Sequence, residues 1–297
     1  MQLLKKIIKF FYRKLRKSNN TAILKAINSS NYETSKSDAY IYYDSYKKNV
    51  ANFIFKNRDP ITKKFFEEGE YDESIVIKGL KILKKEKITT LINFGGHVGT
   101  SIIPLIKKGY FSLGIAFEPS INNYKLLEAN ILINGLEKKI TTYNLAIGTE
   151  KSSGKIFQGE KDNSGDFRVH NEKRHLDNIN IFEEISIVPL DDYWLPELNN
   201  NCLLLIDVQG HELEVLKGAS QFIKNKIPTI MELSPYLLKE DSNLEIFLLL
   251  KNYDHIVDLE FDEVYDFNEK NFNLIYSKYV NKNRPKNLNS YTNILFY

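Results

Sequence analysis

At 297 residues, with 42% hydrophobic and 27% charged residues, the chain has enough apolar material for one large globular domain, or one domain with a small appendage. Its 41 basic and 38 acidic residues leave a net charge of +3, a balance that gives nucleic-acid binding no support. No apolar run approaches the roughly 18 residues that a membrane-spanning helix needs, and LLLI and IFLLL have the length of core segments.

The chain opens with MQLLKKIIKFFYRKLRK, where Leu3, Leu4, Ile7, Ile8, Phe11 and Leu15 recur at helical spacing among Lys and Arg. Residues 1–17 therefore read as a basic amphipathic helix, too interrupted by charge for a secretory signal. Such a helix suits peripheral contact with an anionic membrane surface, or docking of its apolar stripe on the protein itself. Residues 18–39, rich in Ser, Asn and Thr, read as a linker or an irregular cap. Tyr40 to Lys87 then looks largely helical, ending in YDESIVIKGLKILKKEK, where Ile75, Ile77, Leu80, Ile82 and Leu83 give a core-facing stripe. The expected organisation is a helical N-terminal extension over 1–88 and a main domain over 89–297.

After Lys87, short apolar runs alternate with helical stretches, the signature of successive βαβ units and a mostly parallel α/β sheet. Strands are expected at about 90–94, 113–117, 139–145, 185–189, 202–206 and 228–233. Helices are expected in TSIIPLIKKG, in NNYKLLEANILING (closed by Gly135), in HELEVLKGASQFIK and in DSNLEIFLLLKNY. Strand-like pieces near HIVDLE and TNILFY, separated by a Lys/Asn-rich stretch, fit an antiparallel hairpin added at the end. The lone Cys202 cannot close an intramolecular disulfide, and within CLLLI it reads as a buried thiol in a reducing compartment, which points to a cytoplasmic protein.

The chemistry concentrates around LINFGGHVGT, residues 91–100, where a strand runs into Gly95, Gly96 and Gly99 and then into a helix. Such a turn presents backbone N–H groups at a helix N-terminus and admits a ligand close to the backbone. A turn that needs small residues only for steric reasons has the same pattern. Glu118 in GIAFEPS stands 23 positions beyond Gly95 (118 − 95), and an acid at about that separation can accept both ribose hydroxyls of a nucleoside cofactor. The loop lacks the Gly-x-Gly-x-x-Gly of dinucleotide binding, the Gly-Lys-Ser/Thr of a P-loop, and any Lys or Arg to neutralise phosphate. S-adenosylmethionine, a non-phosphorylated adenosine cofactor, fits better.

From roughly Asp59 to Pro235 an ordered series of segments resembles the FkbM-type methyltransferases. LINFGGHVGT is similar to their Asp-x-Gly-Ala-Asn-x-Gly loop, AFEPS to their Ala-Phe-Glu-Pro stretch, NLAIGTEKSSG to the segment after the third strand, and VPLDDYW to their Leu-Asp-Asp run. LLLIDVQGHELEVLKGA resembles the signature Asp-Val-Glu/Gln-Gly-x-Glu with its leucine-lysine-glycine helix, and PTIMEL the fifth strand. The resemblance implies a Rossmann-like class I methyltransferase fold, S-adenosylmethionine as cofactor, and methylation of hydroxyls, commonly on sugars or natural products. It implies cofactor contacts at Asn93, Gly95, Gly96, His97, Val98, Gly99, Glu118 and Pro119. Asn144, after the third strand, is expected at the adenine amino group, with a turn cap as its other reading. The chain departs from the family at Asn93, where Asp is usual, and at His97, where Asn is frequent. Asn93 accepts a hydrogen bond without the charge that roughly doubles its strength, so weaker cofactor binding is expected.

Methyl transfer from sulfonium to oxygen is an in-line displacement that needs the acceptor held close and a base for its proton. IDVQGHE supplies Asp207 at a strand's carboxyl end, where ligands bind in such sheets, with His211 and Glu212 on the next turn. By position and resemblance, Asp207 is the first choice for acceptor contact or base. Glu212 reads equally as an acid favoured at a helix start and His211 as a solvated residue. Glu232 either lines the pocket or pairs with a lysine. Asp166, His170, Glu172 and His175 lack ligand spacing, so no metal is expected. That segment reads as a substrate-shaping loop, in which Arg168 faces a sugar hydroxyl or an acidic group. The expected partner is a small-molecule or carbohydrate acceptor. The rivals are a nicotinamide-dependent reductase, for which no Tyr-x-x-x-Lys pair joined to a suitable Ser stands in the expected region, and a degenerate methyltransferase fold serving as a binding or membrane-scaffold module.

Overall fold

The structure, a computed structural model, describes residues 40–43, 51–56, 59–68, 70–84, 88–159, 163–169, 182–194, 198, 201–238, 242–280 and 290–297. The basic helix expected over 1–17 and the linker after it lie outside the described residues.

Tyr40–Tyr43 (β1) pairs antiparallel with Phe53–Lys56 (β2), in a stretch whose sequence suggests helix. The reason is side-chain alternation: Phe53 and Phe55 both point inward and pack against Phe65, with ring centroids 4.9 and 5.2 Å from it. Asn130 then clips the edge of β2, accepting the Ile54 N–H (2.7 Å) and donating to the Ile54 carbonyl (3.2 Å). Asn134 does the same for Asn52, at 2.9 and 2.7 Å. Two helices follow, Pro60–Glu68 (α1) and Glu73–Leu83 (α2). Asp59 caps α1, its Oδ1 accepting the N–H of Ile61 (2.9 Å) just after Pro60 at the first helical position.

The main sheet begins with Thr90–Phe94 (β3), Leu113–Phe117 (β4) and Ile140–Tyr143 (β5), separated by Ile102–Lys107 (α3) and Ile121–Asn134 (α4). Gly135, at φ +69°, ends α4 as expected. The chain then leaves the sheet to build a small one from Ala146–Ile147 (β6), Ser152–Gln158 (β7), Phe167–Val169 (β8) and Phe182–Val188 (β9), in the order β6-β9-β7-β8. It returns through Cys202–Ile206 (β10), Glu212–Gly218 (α5), Ser220–Lys224 (α6), Thr229–Leu233 (β11), Ser242–Leu250 (α7), His255–Asp258 (β12), Glu263–Asp266 (β13), Glu269–Val280 (α8) and Thr292–Phe296 (β14).

The main sheet has the order β13-β12-β14-β11-β10-β3-β4-β5, with β3, β4, β5, β10 and β11 mutually parallel and β14 antiparallel between β11 and β12. This is the Rossmann-like class I methyltransferase arrangement. Every residue of β3 and β10 is buried, because helices cover both faces of a parallel sheet. Ile92, Leu204 and Met231 face α5 and its neighbours, while Leu91, Leu203 and Ile230 face α2 to α4. Each such fully buried side chain contributes about 1.5–3 kcal/mol.

Three expectations need correction. The strand near 185–189 belongs to the small sheet and pairs antiparallel with β7; FEEISIV alternates polar and apolar residues, as a strand with one wet face does. The C-terminal strands pair antiparallel, Ile256 opposite Phe296, yet they form no simple hairpin, since β13 and α8 intervene and β14 inserts inside the sheet. The helix expected through HELEVLKGASQFIK breaks at Ala219, where Gly218 lies so close to the Gly148 carbonyl that a Cβ would sit 2.0 Å from it. Among the described residues no helix is long and apolar enough to cross a membrane.

Candidate active site

The glycine loop ties three strand ends together. Gly95 and Gly96 donate their N–H groups to the Phe117 carbonyl (3.0 and 2.9 Å), and Asp207 donates its N–H to the Phe94 carbonyl (3.1 Å). At φ +77°, Gly95 has no room for a side chain, because a Cβ would lie 1.9 Å from the Asp207 carbonyl oxygen. Gly99, at φ +94°, is crowded in the same way by Ile103 and Leu127. Glycine here is first a packing requirement, and the close approach of β3, β4 and β10 is what opens the cleft beside it.

Glu118 lies at the tip of β4 and is only 4% exposed. One carboxylate oxygen accepts the His97 N–H (2.7 Å) and the other the Ser120 N–H (2.9 Å), and the Asn123 side chain also bonds the carboxylate. Burial pushes its carboxyl up to about 7, against the opposing pull of those N–H groups. Asn144 fixes the same loop from behind, donating to the carbonyls of Glu118 (2.9 Å) and Pro119 (2.8 Å).

The cleft encloses about 750 Å³ including its open mouth, a volume suited to a small molecule. Phe117, Pro119, Leu145, Ile147, Ile156 and Phe167 make one end apolar. The other end is acidic. Asp207 lines it; Glu232, its neighbour across β10 and β11, stands behind the lining, and the Gln209 amide bridges the two, donating to Asp207 Oδ1 (2.7 Å) and Glu232 Oε1 (3.1 Å). Ser234 adds a hydroxyl donor to Glu232 at 3.0 Å. Burial raises Asp207 to about 6, and burial together with the charges of Asp207 and Asp72 holds Glu232 well above the carboxylate range. From the turn before α2, Tyr71 and Asp72 complete this end; burial and the Asp207 charge raise Asp72 to about 7.

Of the residues expected at the cofactor, Gly95, His97, Glu118 and Pro119 line the cleft; Asn93, Gly96, Val98, Gly99 and Asn144 stand behind its wall. Val98 is a core residue, and Asn93 is 1% exposed with its Oδ1 unpartnered. Among the expected catalytic residues, Asp207 and His211 line the cleft, whereas Glu212 is fully buried, one oxygen accepting the Gly210 N–H (2.9 Å). The Arg168 guanidinium forks onto Asp166 at 2.7 and 2.9 Å. His170, Glu172 and His175 lie outside the described residues. Tyr71, Asp72, Gln209 and Ser164 line the cleft without having been singled out from sequence. Asp72, His97 and Gln209 share a trait, left-handed backbone at φ 55°, 47° and 51°, a strain of about 1–3 kcal/mol each that tends to gather at functional sites.

These features suit S-adenosylmethionine. Glu118 has the carboxylate oxygens that ribose hydroxyls need, the apolar end has the surface that a base needs, and Asp72 is an acid of the kind that suits the cationic methionine portion. Among the described residues no lysine or arginine lines the cleft, so a pyrophosphate would go unneutralised. Fold and site together define an S-adenosylmethionine-dependent methyltransferase of class I. A family model, the methyltransferase FkbM domain, matches residues 93–267, and the chain belongs to that family. No curated protein matches the sequence. Similar solved structures include M. jannaschii TYW2 in complex with AdoMet (11% identity, 88% of this chain and 86% of that one, TM-score 0.40). They also include StiE O-MT residues 961–1257 (11%, 80% and 81%, TM-score 0.39). A third is precorrin-6y C5,15-methyltransferase from Geobacter metallireducens GS-15 (11%, 76% and 87%, TM-score 0.38).

Proposed function

We propose that this methyltransferase acts on oxygen, methylating a hydroxyl of a sugar, a polysaccharide or a natural product. The observation that carries the reading is Asp207, a carboxylate at the cleft with its pKa raised to about 6 and its orientation held by Gln209. A base titrating near the working pH is suited to take a hydroxyl proton while staying largely ionised at pH 7. The bound cofactor supplies an electrophilic methyl group on a sulfonium. The protein's part is to bind it through Glu118 and the glycine loop, to hold the acceptor in line, and to receive the acceptor's proton at an Asp207 oxygen. Burial is the main source of the raised basicity of Asp207, with the Asp166 charge adding to it and the Gln209 amide opposing it.

Mass-spectrometric screening of nucleotide-linked sugars, free saccharides and hydroxylated natural products with S-adenosylmethionine tests this reading. Asp207→Asn should retain cofactor binding in calorimetry and lose about 10²- to 10⁴-fold in turnover. A product methylated on nitrogen or carbon, or an Asp207→Asn variant with wild-type turnover, would refute it.

A further inference from the structure

We propose that His97 is a positioning residue whose imidazole latches the Ser164–Gly165 turn, and with it β8, over the cofactor cleft.

The backbone at His97 does not by itself call for an imidazole. Its φ of 47° is left-handed, a conformation that Asn, the residue frequent at this place in the family, adopts as readily as His. What the longer ring adds is reach. Nε2 lies 2.7 Å from Ser164 Oγ, a bond spanning 67 positions of sequence, and an asparagine amide ends short of it.

Ser164 is where separate parts of the chain converge. Its N–H donates to Asp59 Oδ2 (2.6 Å), whose other oxygen caps α1, and its carbonyl accepts from Asn123 Nδ2 (2.8 Å) on α4. The next residue is pressed onto α1: a Cβ on Gly165 would lie 2.1 Å from Ile61 Cδ1. Beyond it the strand is stiffened by the Asp166–Arg168 fork and by the Gly159 N–H donating to the Asp166 carbonyl (2.7 Å). Phe167 and Val169 of this strand, with Ser164 and Gly165, form one side of the cleft. The His97 ring is therefore the tie between this wall and the glycine loop on the other side.

Its backbone carries the tie further. The His97 N–H donates to Glu118 Oε2, so the acid suited to ribose and the wall that covers it meet in one residue. Nδ1 of the same ring is shielded from water and unpartnered, at a residue that lines the cleft. A buried polar atom left open at a ligand site is completed when the ligand supplies a partner. Cofactor and latch thus reinforce each other: ordering the wall slows cofactor escape, and the cofactor holds the loop that carries the latch.

A double-mutant cycle on the full chain tests this, with S-adenosylhomocysteine as the probe, calorimetry for affinity and hydrogen exchange for the segment 163–169. His97→Asn and Ser164→Ala should each weaken binding about five- to tenfold, the worth of one net hydrogen bond. The double variant should be no weaker than either single one, since both remove the same bond. Exchange over 163–169 should speed up in all three, and His97→Gln, which reaches nearly as far as the imidazole, should restore most of the protection. Multiplying effects in the double variant, unchanged exchange, or equal behaviour of His97→Asn and His97→Gln would each overturn the latch. If His97→Asn fails to fold, Ser164→Ala and its exchange profile carry the same test from the other partner.

Discussion

Glu118→Gln separates the two duties that the carboxylate performs. In the wild type, one oxygen takes the His97 N–H and the other the Ser120 N–H. An amide presents only one oxygen, so one of those buried N–H groups must face an NH₂, at a cost of about 1–3 kcal/mol in stability. For a protein of this size that is a fall in Tm of several degrees, on the order of 2–4 °C per kcal/mol. Binding suffers separately, because two ribose hydroxyls would meet a neutral acceptor in place of a charged one. At about 1 kcal/mol each, the loss is roughly 30-fold in Kd. The pH dependence gives a second handle. Only the ionised carboxylate accepts from both hydroxyls, and burial has raised it to about 7, so binding must release a proton below that pH. Wild-type affinity should therefore rise about tenfold from pH 6 to pH 8, and the rise should flatten in Glu118→Gln. Isothermal titration with S-adenosylmethionine, in two buffers of different ionisation heat, reads both effects. A variant Kd within twofold of wild type at pH 8, or wild-type affinity flat across that range, would refute the assignment of Glu118.

The glycine loop gives a graded series. Gly95→Ala should abolish folding or binding, since its Cβ would meet the Asp207 carbonyl at 1.9 Å, whereas Gly96→Ala, 3.3 Å from Ala116 and Leu127, should be tolerated with small adjustment. Gly109→Ala, at φ +81° with open space around it, isolates the conformational cost alone, about 1–2 kcal/mol, and thermal denaturation of all three checks the order. The buried acids predict how stability varies with pH. Asp72, Glu118 and Glu212 are raised to about 7 and Asp207 to about 6, so the folded state binds protons more tightly than the unfolded chain. Their stabilising contribution is complete below about pH 4 and is lost as pH rises through 6 to 7. Tm measured without cofactor should thus decline between pH 5 and pH 8; a rise across that window would mean that these carboxyls are not buried as described.

Much of the scaffold was legible because local pattern and tertiary role coincide. Buried parallel strands must be continuous apolar runs, so LINF, GIAF, CLLLI and TIMEL announced themselves, and Glu118 and Asp207 followed from standing at their carboxyl ends. Phe272, Ile275 and Tyr279 of α8 were also spaced to be read, but a Lys/Asn-rich setting masked them. Other features had no local signal. FIFK alternates, yet only docking on Asn130 and Asn134 makes it a strand rather than part of a helix. Asp72 and Glu232 lie 160 positions apart (232 − 72), and the Asp72 charge acts on Glu232 only because the turn before α2 is folded close to the end of β11.

By itself, then, the sequence determined the mostly parallel α/β sheet and the two acids that frame the cleft, which rest on periodicity and on spacing along adjacent elements, and through its ordered family motifs it pointed to the cofactor. Tertiary structure alone decided which side chains line the cleft, that Arg168 pairs with Asp166, and that His97 reaches Ser164. Such pairings depend on where distant segments meet, and what brings them together is burial of apolar surface, which carries no record in the local pattern of the residues it juxtaposes.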